Sequence, residues 1–189
     1  MALPVALEPS LPRPARRRYS LPCGLLGLML LGPTQAQQAA APPALRCQLG
    51  VAALATGGQP VLLRFDLRNT GTVAVQVLIW GTPFDGWFAP FVQLQRDGVP
   101  LPYQGPTVKR GDPTADDYLP LAAGQSRRVE IDLAEAFDLR TPGAYRLTPQ
   151  IVLHDVVAQA MVDPRPRAQH QRWPLDCPVV SFVVRATPP

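Results

Sequence analysis

The sequence predicts an all-β protein, built as an antiparallel β-sandwich of about seven strands. Of its 189 residues, 24 are prolines, and a proline inside a helix removes a hydrogen bond, which argues against a helical bundle. Several segments alternate apolar and polar residues with the period of two that is typical of half-buried strands. Short strands with Pro and Gly turns, and no long helical period, are typical of an immunoglobulin-like sandwich.

The clearest strand begins at Val61, from which every second residue up to Leu67 is large and apolar. A turn signal, Asn69-Thr70-Gly71, follows it, and every second residue from Val73 to Ile79 is again apolar. Strand, turn and strand predict a β-hairpin over residues 61–79.

Further strands are predicted at residues 91–96 (ending in the turn pair Asp97-Gly98), 129–133, 145–153 and 179–184, with one short helical turn within 134–139. Three segments do not fit a minimal sandwich. They are the aromatic loop 81–89, the long segment 99–121 without obvious regular structure, and the segment 156–176, which reads as an extended hairpin or lid. Long loops on a rigid scaffold often carry function, so these are the candidate functional segments.

The N-terminus has the three parts of a secretory signal peptide. Four arginines between Arg13 and Arg18 form a basic cluster, and Thr34-Gln35-Ala36 offers a cleavage site. The apolar run between them has ~11 residues, too few for the ~20 of a membrane-spanning helix. We predict a signal peptide over residues 1–36, a low-complexity linker over 37–44 and a β-sandwich over 45–186. The chain is expected in the periplasm or the extracellular medium, without stable membrane insertion after cleavage.

Most of the positive charge belongs to this predicted leader. The chain has a net charge of +4, and cleavage after Ala36 removes four arginines and Glu8, a net +3, which leaves +1. A nearly neutral domain lacks the basic surface with which proteins bind nucleic acid. We therefore expect no nucleic-acid partner.

Cys47 and Cys177 remain at the two ends of the mature chain, and such a pair in an oxidising compartment predicts a disulfide. A metal site is the alternative, but the only histidines are His154 and His170, which follow no metal-binding motif. The nearby aspartates Asp112, Asp116 and Asp117 lack the spacing of an EF-hand calcium loop. Asp116 or Asp117 is expected instead to cap a short turn by accepting backbone N–H bonds. No nucleophilic-serine motif or phosphate-binding glycine loop is present, and no cofactor or metal is predicted.

Five aromatic residues lie close together in the sequence: Trp80, Phe84, Trp87, Phe88 and Phe91. Core packing is the first interpretation of this set. Exposed members would instead mark a surface that binds a partner.

Two strings resemble the non-catalytic N-terminal β-domain of secreted peptidyl-lysine metalloendopeptidases, the deuterolysin-like zinc proteases. They are residues 78–86 (Leu-Ile-Trp-Gly-Thr-Pro-Phe-Asp-Gly) and residues 103–118, which begin Tyr-Gln-Gly-Pro and contain Lys-Arg-Gly-Asp. The resemblance covers roughly residues 60–153 and implies a β-sandwich with a role facing a protease. Those proteases also carry a catalytic domain with a His-Glu-x-x-His helix, and this sequence has no His-Glu pair. The resemblance therefore does not imply peptidase activity, and we do not expect an enzyme.

Two functions fit these observations. The first is a secreted module that docks on a zinc metalloendopeptidase, or inhibits it, with Lys109, the only lysine, entering a lysine-selective cleft as a substrate would. The second is a structural or assembly domain of the envelope, which exposed Trp87 and Phe88 with a buried Lys109 would favour. The predicted partner-binding residues are Trp87, Phe88, Tyr103, Lys109, Arg110 and Asp112. An enzyme of unrecognised type would require His154 and His170 to converge with Asp155 or Asp163 in one pocket.

Overall fold

The computed structural model describes residues 42–158 and 163–187. The predicted signal peptide lies outside these ranges, as does the predicted linker apart from residues 42–44, which form no regular structure. The described ranges contain thirteen strands, four 3-10 turns and no α-helix. Accordingly, nothing in this part of the chain has the length and apolar character of a membrane-crossing helix.

The strands are β1 (Leu45–Gly50), β2 (Leu54–Thr56), β3 (Leu62–Asn69), β4 (Val75–Leu78), β5 (Val92–Arg96), β6 (Val99–Pro100), β7 (Tyr118–Leu121), β8 (Ser126–Asp132), β9 (Gly143–Pro149), β10 (Val152–Leu153), β11 (Val156–Ala158), β12 (Trp173–Pro174) and β13 (Val180–Arg185). The 3-10 turns are Pro83–Asp85, Ala115–Asp117, Leu133–Glu135 and Arg167–Gln169.

The strands form sheets in the orders β1-β3-β8, β11-β4-β7 and β2-β13-β9-β5-β6, together with the pair β10-β12. Neighbouring strands are antiparallel except β2 and β13, which are parallel. The structure thus confirms the predicted all-β, antiparallel sandwich of immunoglobulin-like type. Its strands are shorter and more numerous than the seven expected.

One core lies between the β1-β3-β8 sheet and the five-stranded sheet. The alternating apolar residues of β3 are fully buried there, as the period of two predicts. Leu94 of β5, Leu147 of β9 and Phe182 of β13 contribute to the same core from the other sheet. The predicted disulfide is confirmed: Cys47 on β1 is bonded to Cys177, which precedes β13.

The predicted hairpin over residues 61–79 is wrong, although both of its strands exist. β3 pairs with β1 on one edge and β8 on the other, so it has no free edge for β4. β4 pairs with β7 and β11 in a different sheet. The side chain of Asn69 donates to the carbonyl oxygens of Val73 (2.7 Å) and Leu121 (3.1 Å), which holds the connection as it changes sheets.

The segment 99–121 contains more regular structure than the sequence indicated. β6 pairs with β5 across the two-residue turn Asp97-Gly98, where φ is 50° and 82° as a type I′ turn requires. At the other end, β7 pairs with β4. The irregular part is therefore residues 101–114, which are held between two strands.

Candidate functional site

The three segments singled out in the sequence come together at one open cleft of about 370 Å³. Trp80 and Gly81 follow β4, and Asp85 and Phe88 come from the aromatic loop. Val108, Lys109 and Arg110 come from the long segment, His154 lies between β10 and β11, and Arg167 and His170 lie after β11. The walls are thus loops whose ends are fixed by strands of the sandwich.

The loop that carries Lys109 is anchored on both sides of this residue. The Val108 N–H donates to the Phe88 carbonyl oxygen at 3.1 Å. On the other side, the Arg167 guanidinium donates to the Arg110 carbonyl oxygen at 2.6 Å. The Lys109 side chain is exposed and makes no hydrogen bond or ion pair with any residue in the described ranges. The backbone is held while the ammonium group projects into solvent.

Arg110 is built into the wall of the cleft. One of its terminal nitrogens lies 2.7 Å from both carboxylate oxygens of Asp85, whose side chain is only 10% exposed. The guanidinium carbon lies 5.2 Å from the centre of the Trp80 ring and 5.5 Å from that of Phe88, within the range of cation–π attraction. Arg110 therefore ties the long segment to the aromatic loop.

Tyr103 fixes the start of the same segment. Its ring packs against Trp87 and Phe137 with centroid distances of 6.3 and 5.8 Å. Its hydroxyl lies 3.0 Å from the Trp87 carbonyl oxygen and 2.9 Å from that of Pro106, and it donates to one of them at a time. Burial raises the pKa of this hydroxyl, so it stays protonated and able to donate.

The aromatic residues divide between core and surface. Trp87 is 4% exposed, stacks on Phe91 at 4.5 Å and donates its indole N–H to the Asp132 carbonyl oxygen. Trp80 is also buried. Phe88 is 41% exposed at the rim of the cleft. Trp87 must accordingly be corrected from a candidate partner contact to a core residue, because its ring is covered by the sandwich.

The aspartates of the long segment bond within the chain. Asp117 accepts from the backbone N–H and the hydroxyl of Thr114 at 2.7 and 2.9 Å and from the Trp80 indole at 2.8 Å, which confirms the predicted turn cap. Burial alone would raise the pKa of Asp117, but these hydrogen bonds outweigh it and lower the pKa. Asp112 accepts from the Arg167 backbone N–H at 2.9 Å.

His154 and His170 both line the cleft. Burial lowers the pKa of His154, and the positive charges of Arg172, His170 and Arg167 lower it further. The ring nitrogen Nε2 of His170 lies 2.9 Å from the Arg165 carbonyl oxygen. No group of three or more metal-ligating side chains occurs in the part of the chain that the structure describes.

Asp155 lies away from the cleft lining and is fully buried. Its carboxylate accepts from the Tyr118 hydroxyl at 2.8 Å and from two nitrogens of the Arg165 guanidinium. Burial, followed by the hydrogen bond to Asp155, raises the pKa of Tyr118. Asp155 is thus a structural residue and does not converge with the two histidines.

Asp85, Arg167 and Trp80 line the cleft but were not among the predicted partner-binding residues, although Trp80 belongs to the aromatic set named in the sequence analysis. Asp85 pairs with Arg110, which is 25 positions away in the sequence. Arg167 donates to the carbonyl oxygen of Arg110, which is 57 positions away. No local motif links positions so far apart. The one signal was that Trp80 and Asp85 stand in the string that resembles the protease β-domain.

Two curated proteases share sequence with the chain. An aligned segment of 87 residues is 37% identical to "Extracellular protease" of Aeromonas hydrophila and covers 46% of this chain and 25% of that protein. An aligned segment of 85 residues is 32% identical to "Neutral protease 2 homolog" of Uncinocarpus reesii (strain UAMH 1704) and covers 43% of this chain and 23% of that protein. Part of this chain is homologous to part of secreted proteases. The chain matches about a quarter of the length of these relatives.

No protein-family model matches the chain. Among solved structures, the CARDB domain of the PF1109 protein from Pyrococcus furiosus aligns with 77% of this chain and 90% of that chain, at 11% identity and a TM-score of 0.31. An ASH/PapD-like domain of human CEP192 aligns with 85% of this chain and 95% of that chain, at 11% identity and a TM-score of 0.28.

The relationship of part of this chain to an extracellular protease, together with the disulfide, favours a secreted protein.

Proposed function

We propose that this β-domain is a non-catalytic binding module that docks on a secreted metalloendopeptidase and inhibits it. The observation that carries the proposal is Lys109, the single lysine of the chain, which stands exposed on a loop anchored at both sides. A rigid loop binds with a smaller loss of conformational entropy than a flexible one. Homology to parts of secreted proteases supports a protease as the partner class.

Phe88 and Arg110 complete the proposed contact surface. The exposed Phe88 ring offers apolar area next to Lys109, and Arg110 holds the two loops in a fixed relation through Asp85. Residues that dominate binding energy are typically surrounded by contacts that exclude water, and Phe88 supplies such a contact in this proposal. Tyr103 and Asp112 act as supports in this proposal, since both bond within the chain.

Envelope assembly, the alternative function, is less well supported. This function requires Trp87 and Phe88 to be exposed and Lys109 to be buried. Phe88 is exposed, as this function requires, but Trp87 is buried and Lys109 is exposed, which is the reverse of the required pattern.

The test measures inhibition of a peptidyl-lysine metalloendopeptidase by the oxidised mature chain, with a lysine-containing peptide as the reporter substrate. We expect Lys109→Ala to raise the inhibition constant by about 30-fold or more, the size typical of a dominant interface residue. Arg127→Ala is the matched control, because Arg127 is an exposed cation on β8 outside the cleft and its removal is expected to change little.

Three outcomes would overturn the proposal. The first is cleavage of the parent chain beside Lys109, detected by mass spectrometry, which would make the chain a substrate. The second is inhibition by the Lys109→Ala chain that equals that of the parent. The third is a parent chain that neither inhibits such a protease nor retains it on a column.

A further inference from the structure

We infer that the cleft is a binding site for an acidic peptide segment in which carboxylate side chains stand next to a bulky apolar side chain. The inference goes beyond the proposed function, because it assigns a ligand chemistry to the cleft whether or not the ligand belongs to a protease. It rests on the balance of charge around the cleft and on its apolar wall.

The cleft lining carries an excess of positive charge. Lys109, Arg110 and Arg167 line it, whereas its only acidic lining residue is Asp85. Asp85 is occupied by Arg110, with both carboxylate oxygens at 2.7 Å from the guanidinium. The lining therefore offers no further carboxylate to the other two cations.

Lys109 and Arg167 have no carboxylate partner for their side chains among the described residues. The Arg167 guanidinium donates to a backbone carbonyl oxygen, that of Arg110, and makes no ion pair within the described ranges. Asp112 meets Arg167 only through the backbone N–H. Residues 159–162, which follow β11 in the sequence, are Gln-Ala-Met-Val and contain no acidic side chain. Within the described ranges, both cations are therefore available to pair with the carboxylates of a ligand.

The surroundings of His154, which also lines the cleft, agree with this charge balance. Burial is the main cause that lowers the pKa of His154, and the positive charges of Arg172, His170 and Arg167 lower it further. Arg167 is one of the two cations named above, and the same excess of positive charge attracts a negatively charged ligand.

The apolar part of the wall favours a peptide over a simple anion. Phe88 is 41% exposed and Val108 is 44% exposed, and both line the cleft next to the cations. Inorganic phosphate or an isolated sulfate group would leave these surfaces in water. A peptide with an apolar residue beside its acidic residues covers them while its carboxylates pair with Lys109 and Arg167.

The experiment measures binding of a fluorescein-labelled peptide that alternates glutamate and leucine, by fluorescence anisotropy with the oxidised mature chain. The reference peptide replaces each glutamate with glutamine. We expect the glutamate peptide to bind and the glutamine peptide to bind about tenfold or more weakly, because hydrogen bonds between charged groups are lost. Binding should also weaken as salt is raised, since the free cations are exposed.

Three single-residue variants test whether the peptide binds in the cleft. Lys109→Gln and Arg167→Gln are each expected to reduce affinity about tenfold. Arg127→Gln removes the same charge from β8, outside the cleft, and is expected to leave affinity unchanged. Arg167→Gln removes a hydrogen bond within the chain and can therefore disturb the loop. Lys109→Gln breaks no contact within the described structure, so a loss of affinity in this variant reports the charge alone.

The inference is overturned if both peptides bind equally or if Arg127→Gln weakens binding as much as the cleft variants. Binding of heparin with no binding of the glutamate peptide would also overturn it, because the site would then serve a sulfated polysaccharide. None of these measurements involves a protease, so they succeed or fail separately from the inhibition assay.

Discussion

Lys109 and Arg110 are adjacent cations with opposite surroundings. Arg110 contacts Trp80, Phe88 and Asp85, so its charge is paired within the chain although the side chain is partly exposed. Lys109 points into solvent and is available to a partner. This difference arises because a loop, like a strand, directs successive side chains differently, and the anchoring bonds of Val108 and Arg110 hold the residue between them outward.

At the same scale, we expect His154 to make the free energy of unfolding depend on pH. Because the pKa of His154 is lowered in the folded state, the unfolded chain takes up a proton below about pH 6.5 that the folded chain resists. The free energy of unfolding should therefore fall as pH decreases from 7 to 5. Urea unfolding at several pH values measures this slope.

The His154→Gln variant tests this assignment. It removes the titrating group, so its stability should fall less steeply between pH 7 and 5 than that of the parent. At pH 8 both side chains are neutral, and the difference there reports the packing change alone. Equal slopes for parent and variant would contradict the role of His154.

At the scale of elements, Asp155 joins three parts of the chain. It follows β10, accepts from Tyr118 at the start of β7 and binds Arg165 in the segment that leads to the cleft wall. The Arg165 carbonyl oxygen in turn contacts His170. The buried carboxylate thus positions one side of the cleft without lining it.

Removal of this carboxylate should be costly. We expect Asp155→Ala to lower the free energy of unfolding by about 3 kcal/mol, at the low end for a broken buried ion pair because Arg165 is 27% exposed and regains some hydration. Urea unfolding at pH 7 measures the change. Asp116→Ala, which removes an exposed carboxylate without a bond in the described structure, should change stability by less than about 0.5 kcal/mol. Similar losses for both variants would contradict the structural role.

Elements also show where prediction from sequence succeeds. The predicted strands that correspond to β3, β5, β8 and β13 lie within about three residues of their observed bounds, because a strand's apolar pattern depends on its own buried surface. The predicted strand 145–153 is in part wrong, since it ends at Pro149 as β9, and residues 152–153 form β10, which pairs with β12 in a separate sheet. Pairing was harder to predict. β3 and β4 are neighbours in sequence and both half-buried, yet β3 already has two partners, and this fact appears only when distant β1 and β8 are placed beside it.

At the scale of the whole molecule, the disulfide links β1 to the segment that precedes β13. Cys47 and Cys177 are separated by 130 positions, so their bond greatly restricts the unfolded chain. The double variant Cys47→Ser/Cys177→Ser should lose ~5 kcal/mol of stability in the chain-entropy model, a large part of the total for a domain of this size. Thermal or urea unfolding measures the loss.

Reduction of the parent chain provides the control for this prediction. The reduced parent should have nearly the stability of the double variant, since both lack the cross-link. A loss below about 1 kcal/mol in both would contradict a stabilising role for the bond and would favour a structure held by its core alone.

The sequence by itself determined the all-β class, the positions of the main strands, the pairing of two cysteines and the three loop segments that line the cleft. Each of these follows from local periodicity, turn residues or the count of one residue type. The tertiary structure decided which loops meet, because the bonds of Arg110 to Asp85 and Arg167 join residues 25 and 57 positions apart. It also decided that Trp87 belongs to the core and Lys109 to the surface, since exposure depends on what packs above a side chain.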